Sequence, residues 1–333
     1  KIDYDEFFRQ ASDRDCLMFL VQLAVLAPSS HNSQPWRFAV GNREVMLYPE
    51  MKRALADGDP DCRQLFISIG CALENLVVAA DYYGFQTEVK YHHEGIEVVF
   101  QRIQEKPSHG RDHLVFSIPN RHTNRNPYEK RLPNQSFISW AIAQGGTELR
   151  IDCVTEPCVK EKIADAVIAA GIMAMESDAF REELSRFVKS NITKAKIGMP
   201  AFGVGIPTPV SFVTPFLLKH FNMNKLSKKR DSTLLKEHTP AFFVISSGGD
   251  GVISWMRAGQ TFERIALEAE RRNIRTAPMA AVIEMKQYRK VMQDILEMSF
   301  FPHVFFRAGY AKKLTPHSPR LSASEVITQE TRS

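Results

Sequence analysis

Apolar residues recur at i, i+3, i+4 and i+7 in two distant stretches of the chain. Within Gly70–Thr87 the stripe is Leu73, Leu76, Val77 and Ala80; within Gly259–Thr276 it is Phe262, Ile265, Ala266 and Ala269. Such spacing gives a helix one buried face. The pairs Gly70/Gly259, Glu74/Glu263, Ala80/Ala269 and Thr87/Thr276 are identical. Gly84 and Asn273 stand where each helix would end in the left-handed conformation that both residues tolerate. Any two amphipathic helices share a period, but the shared glycine, glutamate and terminal Gly/Asn–apolar–x–Thr point to an internal duplication. A weaker match sets Phe19–Pro28 against Phe137–Gly146. Ser-Ser-His-Asn-Ser-Gln-Pro-Trp follows the first and Thr-Glu-Leu-Arg the second, so only one copy keeps the polar loop.

Runs rich in β-branched and aromatic residues predict strands at 37–40, 45–48, 87–92, 96–101, 149–154, 241–246 and 303–310. Helical patterns alternate with them, which argues for an α+β (mixed α/β) layer architecture. Between about 177 and 240 the pattern changes. Gly198, Pro200, Gly203, Gly205, Pro207, Pro209 and Pro215 exclude a continuous helix there, and a basic cluster, Lys225–Arg230, follows. Phe202, Val204, Ile206, Phe212 and Phe216 in this stretch predict that it packs on the rest of the chain as a lid-like insertion. The expected division is a first half over 1–118, a second half with the insertion over 119–315, and a loose Ser/Thr-rich tail over 316–333.

Composition narrows the function classes. The 333 residues are 44% hydrophobic and 24% charged, with a net charge of +5, which fits a globular protein and excludes wholesale disorder. Lys and Arg are dispersed and no aromatic–basic ladder appears, so no nucleic-acid partner is expected. The five cysteines (Cys16, Cys62, Cys71, Cys153, Cys158) are odd in number and lack zinc spacing. Reduced thiols point to the cytoplasm. The apolar run Cys16–Pro28 is too short to span a bilayer and is interrupted by Gln22, so it predicts a buried helix and no membrane partner. The chain starts at Lys1 without Met, which leaves a preceding targeting segment, and export, open.

Two polar segments carry candidate chemistry. Pro28-Ser-Ser-His-Asn-Ser-Gln-Pro-Trp36 places hydroxyl and amide groups between a buried helix and a strand. Such a loop suits a polyol chain or a phosphate, and on turn chemistry alone it equally suits a polar turn. Asn120-Arg-His-Thr-Asn-Arg-Asn-Pro-Tyr128 presents Arg121, Thr123 and Arg125 on alternate residues. Guanidinium forks match phosphate oxygens bidentately; a solvated basic turn is the alternative.

Together these segments resemble the FMN-binding nitroreductase family, and the layout resembles its single-chain, duplicated, Acg-type branch. The loop matches the family's Ala-Pro-Ser-Ser-x-Asn-x-Gln-Pro-Trp, and Arg121-x-Thr123-x-Arg125 its Arg-x-Ser-x-Arg. The resemblance implies a nitroreductase fold closed on itself as an intramolecular pseudo-dimer, hence a monomer, with one FMN per chain. It implies cofactor contacts from Pro28, Ser29, Ser30, Asn32, Gln34, Arg121, Thr123, Arg125 and Arg307. It also implies backbone contacts from Pro278, Met279, Ala280 and Ala281, where an amide would meet flavin N5. No side-chain carboxylate follows this turn, unlike in some members, which puts nicotinamide and substrate contacts in doubt.

The resulting expectation is an oxidoreductase that takes hydride from NADH or NADPH onto FMN and passes it to a nitro- or quinone-type small molecule. No protein acid or base is required. The alternative is a protein that sequesters or stores FMN beneath the insertion; a decayed flavin site is a third reading, against which the intact arginine segment stands. No GxGxxG, P-loop, HExxH or GxSxG competes. His92, His93, His109 and His113 lie in or beside a polar loop and predict a surface group.

Overall fold

The computed structural model describes residues 7–8, 10–103, 113–222 and 224–328. His109 and the last five residues of the expected tail lie outside them. Helix α1 (Asp13–Ala24) starts on Ser12, whose hydroxyl accepts the Asp15 amide, and buries Cys16, Leu17, Leu20, Val21 and Ala24. The hairpin of β1 (Trp36–Val40) and β2 (Glu44–Pro49) follows, then α2 (Arg63–Tyr82), β3 (Phe85–His92) and β4 (Gly95–Arg102). Further on come α3 (Gln135–Ala143), β5 (Leu149–Val154) and α4 (Pro157–Glu176).

Beyond α4 lies the insertion, with α5 (Asp178–Phe187), the strand pair β6 (Val188–Lys189) and β7 (Met199–Pro200), α6 (Thr208–Ser211), α7 (Thr214–His220) and α8 (Asn224–Glu237). The chain then forms β8 (Ala241–Ser247), α9 (Val252–Arg271), β9 (Arg275–Pro278), α10 (Ala281–Glu284), α11 (Lys286–Ile295) and β10 (Phe301–Gly309). It finishes with α12 (Ala323–Val326) and β11 (Ile327–Thr328).

One sheet has the order β11-β1-β2-β4-β3 and the other β5-β8-β10-β9. If β1, β2, β3 and β4 are paired with β5, β8, β9 and β10, the two orders coincide. Helices α2 and α9 then follow the second strand of each set. They form the centre of the core and touch through their glycines. A Cβ on Gly70 would lie 1.9 Å from the Met256 carbonyl oxygen, and one on Gly259 would lie 2.0 Å from that of Ile67. The shift along the chain that relates Gly70 to Gly259 also relates Ile67 to Met256. Arg264 pairs with buried Glu74 at 2.6 Å, while Asn75 reaches Glu263, again the same exchange. Helix α2 is long and apolar enough to cross a membrane, yet it is largely buried in the core, as a helix apolar on all sides must be. Gly84 and Asn273 adopt φ of 83° and 58°, as the helix ends required.

Three expectations are corrected. Pro278, read as part of a turn, ends the strand β9 on the edge of its sheet, where a terminal proline is tolerated. Phe212 and Phe216 do not pack the insertion down; they are 57% and 60% exposed on its outer side. The tail is not loose up to residue 328. Ser322 and Glu325 form a capping box on α12, and β11 pairs in parallel with β1.

Candidate functional site

The loop after α1 holds an unusual backbone. His31, Asn32 and Gln34 all have positive φ (52°, 55° and 51°), a conformation that costs about 1–3 kcal/mol per residue unless its surroundings enforce it. Here they do. The Gln34 amide donates to Ser29 Oγ at 2.9 Å. Asn32 Nδ2 donates to the carbonyls of Lys196, Gly198 and Pro319, and Asn32 Oδ1 accepts from Arg320 at 2.6 Å. Gln34 Nε2 donates to Lys196 O at 2.7 Å, and its Oε1 accepts the Leu321 amide at 2.8 Å. The loop thereby ties the insertion and the C-terminal segment together. Glu183 adds a second tie by accepting the amides of Asp57 (3.1 Å) and Gly58 (2.8 Å).

The arginine segment is anchored to β9. Thr123 bridges Thr276, and the Asn124 amide donates to Thr276 O at 3.1 Å. Arg121 is buried with its Nε 2.9 Å from Glu263 Oε1, an ion pair too poorly aligned to give Nε a hydrogen bond. Arg125 donates to Gly203 O at 3.3 Å. Arg307 lies 4.1 Å over the Tyr128 ring and donates to Asn126 O at 3.0 Å.

These residues enclose three adjoining cavities. The first, about 270 Å³, is lined by Pro28, Ser29, Asn32, Arg121, His122, Thr123, Arg125, His317 and Arg320. The second, about 370 Å³ and more apolar, is lined by Pro28, Ser29, Ser30, His31, Thr123, Arg125, Pro278, Ala280, Ala281 and Glu284. The third, about 780 Å³, takes in Arg125, Arg307, Met279, Ala280 and Ala281, with Lys229, Arg230 and Asp231 of α8. Arg125 borders all three. It retains accessible surface, and the surrounding protein, followed by Arg307, lowers its pKa to about 10.

The first cavity is cationic. Burial lowers Arg320 to about 9, with Arg121 contributing, so Arg320 remains charged at neutral pH. Burial also lowers His122 and His317. The facing acid, Glu263, is raised by burial to about 8 although Arg121 opposes this. In the second cavity burial lowers His31 to about 4, and its Nδ1 has no partner. Glu284 is raised by burial and by Asp59, and accepts from Gln64 at 2.7 Å.

The structure therefore brings Pro28, Ser29, Ser30, Asn32, Arg121, Thr123, Arg125, Pro278, Ala280 and Ala281 around two joined cavities. It sets others apart. Gln34 is fully buried and lines none of the three cavities; its amide is spent on the insertion and residue 321. Arg307 and Met279 line only the third cavity. Sequence reasoning missed Arg320, His317 and His122 in the first cavity and His31 and Glu284 in the second. Glu284 supplies a carboxyl near the turn at 278–281, where none was expected.

The fold is thus α+β, with a cationic cavity that adjoins a more apolar one. No protein-family profile matches this chain. The Mycobacterium tuberculosis protein named "Putative NAD(P)H nitroreductase Rv3131" is 25% identical over 326 residues, covering 95% of this chain and 92% of its own. From the same organism, "Putative NAD(P)H nitroreductase acg" is 22% identical over 328 residues, 94% and 95% of the two chains. Over nearly its whole length the chain is thus similar to curated proteins named as NAD(P)H nitroreductases. Among solved structures, B. megaterium NfrA2 has a TM-score of 0.41 at 14% identity, over 66% of this chain and 75% of its own.

Proposed function

We propose that the chain is an FMN-dependent oxidoreductase that holds one FMN per polypeptide, takes hydride from NADH or NADPH and reduces nitro- or quinone-type small molecules. The observation that carries this reading is the first cavity. Arg121 and Arg320 converge there with buried Nε atoms that lack a hydrogen-bond partner, and the acid paired with Arg121 is Glu263. A buried cation without full compensation is costly, and a phosphate monoester is the dianion that repays it. The second cavity, joined to the first through Pro28, Ser29, Thr123 and Arg125, suits a flat ring.

In this reading Arg121 and Arg320 hold the phosphate, and the hydroxyls of Ser29, Ser30 and Thr123 meet the ribityl chain. The first amides of α10, at Ala280 and Ala281, have no intrahelical acceptor and offer an N–H to the ring edge. When bound, FMN supplies the hydride chemistry. The chain's part is to bind, to orient and, through the insertion, to exclude water. The repeated strand order and the reciprocal α2–α9 contacts support descent from a duplicated ancestor, with the two halves in the role of two subunits and the chain acting as a monomer. The names of the mycobacterial relatives support the nicotinamide reductant.

The ties from Glu183, Asn32 and Gln34 to the insertion favour a second reading, in which FMN is held without turnover. Anaerobic mixing of the FMN-loaded chain with NADPH or NADH separates the two. Rapid bleaching of flavin absorbance supports the enzyme, persistent colour supports sequestration, and a colourless chain that cannot be reconstituted overturns both.

A further inference from the structure

We infer that the third cavity is a second anion subsite, which takes the phosphates of a nicotinamide dinucleotide while its ring reaches the wall shared with the second cavity. This rests on the oxidoreductase reading. The cavity is built around Arg307, which is 1% exposed and whose Nη1 has no partner. Among the described residues no carboxylate lies within ion-pair distance of Arg307 or Arg125. Lys229 and Arg230 of α8 border the same space, and the acid among its lining residues, Asp231, is paired with Arg230 at 3.2 Å. Four cations thus face one carboxylate.

Retaining a buried, half-satisfied guanidinium is expensive unless an anion completes it, and the fork of Arg307 suits a phosphate oxygen pair. The FMN phosphate already has Arg121 and Arg320 in the first cavity. At about 780 Å³ the third is also far larger than a phosphate needs. Its wall at Pro278, Ala280, Ala281 and Arg125 is common to the second cavity, so a ligand with phosphates in the third can bring an aromatic ring to that shared wall.

The test is titration of the FMN-loaded full chain with NADP⁺, followed by the perturbation of flavin absorbance, with inorganic pyrophosphate as competitor. Pyrophosphate should displace NADP⁺. Arg307→Lys, which keeps the charge but loses the fork, should weaken NADP⁺ by about tenfold or more with FMN content unchanged. The exposed double variant Lys229→Gln/Arg230→Gln, which leaves the core intact, should weaken it several-fold. Unchanged NADP⁺ affinity in both variants would overturn the subsite, as would a yellow wild type that does not bind NADP⁺. Loss of FMN from Arg307→Lys would also overturn it, by giving Arg307 to the flavin phosphate. A colourless wild type would instead reject the flavin reading itself.

Discussion

Replacing Gly259 by alanine tests how α2 and α9 are joined. The added methyl carbon would lie 2.0 Å from Ile67 O and 2.7 Å from its carbonyl carbon, where ordinary contact begins at 3.4 Å. Helices α2 and α9 must therefore part by about 1.4 Å at this point, because a backbone carbonyl inside a helix cannot swing aside. Overpacking of this kind costs about 1–3 kcal/mol, and the rigid neighbour places it near the upper end. Alanine's better helix propensity returns about 1 kcal/mol, leaving a net loss of about 2 kcal/mol. For a chain of this size that lowers Tm by about 3 °C. Circular dichroism at 222 nm gives Tm, and flavin fluorescence reports release of FMN in the same scan. Gly70→Ala, with its Cβ 1.9 Å from Met256 O, should behave alike. Both transitions should fall together, because the site draws on both halves. A Tm that is unchanged or raised would show that helix propensity prevails and that the axes are not in glycine-enforced contact.

Arg320→Ala should lower FMN affinity about 10- to 100-fold, the value of one or two charge-assisted hydrogen bonds, measured by equilibrium dialysis; unaltered binding would remove Arg320 from the phosphate site. Glu263, raised to about 8 in the folded chain from an ordinary 4.5, binds its proton more tightly when folded. Its contribution is present at low pH and is lost as pH rises through about 8. Urea midpoints between pH 6 and 9 should therefore decline, and Glu263→Gln should flatten the decline. His31 has the opposite sign. Its folded value near 4 lies below the ordinary 6.5, so its contribution is present above pH 6.5 and lost as pH falls toward 4, and His31→Phe should remove that part of the acid slope. Glu183→Ala, which frees the amides of Asp57 and Gly58, should speed tryptic cleavage at Lys194 and Lys196 several-fold; equal cleavage rates would show that this tie does not hold the insertion.

Local pattern made most of the framework legible. The strands stood out by β-branched residues, the central helices by their period, and the loop and arginine segment by their polar spacing. What escaped depends on partners far along the chain. Asn32 and Gln34 look like ligand-facing amides in sequence, but their acceptors are at Lys196, Gly198 and Pro319, which no local rule connects to them. Arg320 was passed over because its segment is rich in Ser and Pro. The one local signal was Ser322-x-x-Glu325, a capping box that marks an ordered helix start two residues later. Strand β9 is four residues long and ends in proline, too short for alternation to show. The outward faces of Phe212 and Phe216 follow from the fold of the insertion, where short helices alternate with turns and hydrophobicity alone does not fix direction.

The central claim is a single flavin site built from the Ser29–Asn32 loop of one half and the Arg121–Arg125 segment of the other. Its most direct test is the ratio of FMN to polypeptide in the purified chain after reconstitution with excess FMN and gel filtration, read from flavin absorbance against amino-acid analysis. The account predicts one FMN per chain, falling toward zero in Arg121→Ala/Arg125→Ala. Two per chain, or one per chain undiminished in that variant, would contradict it.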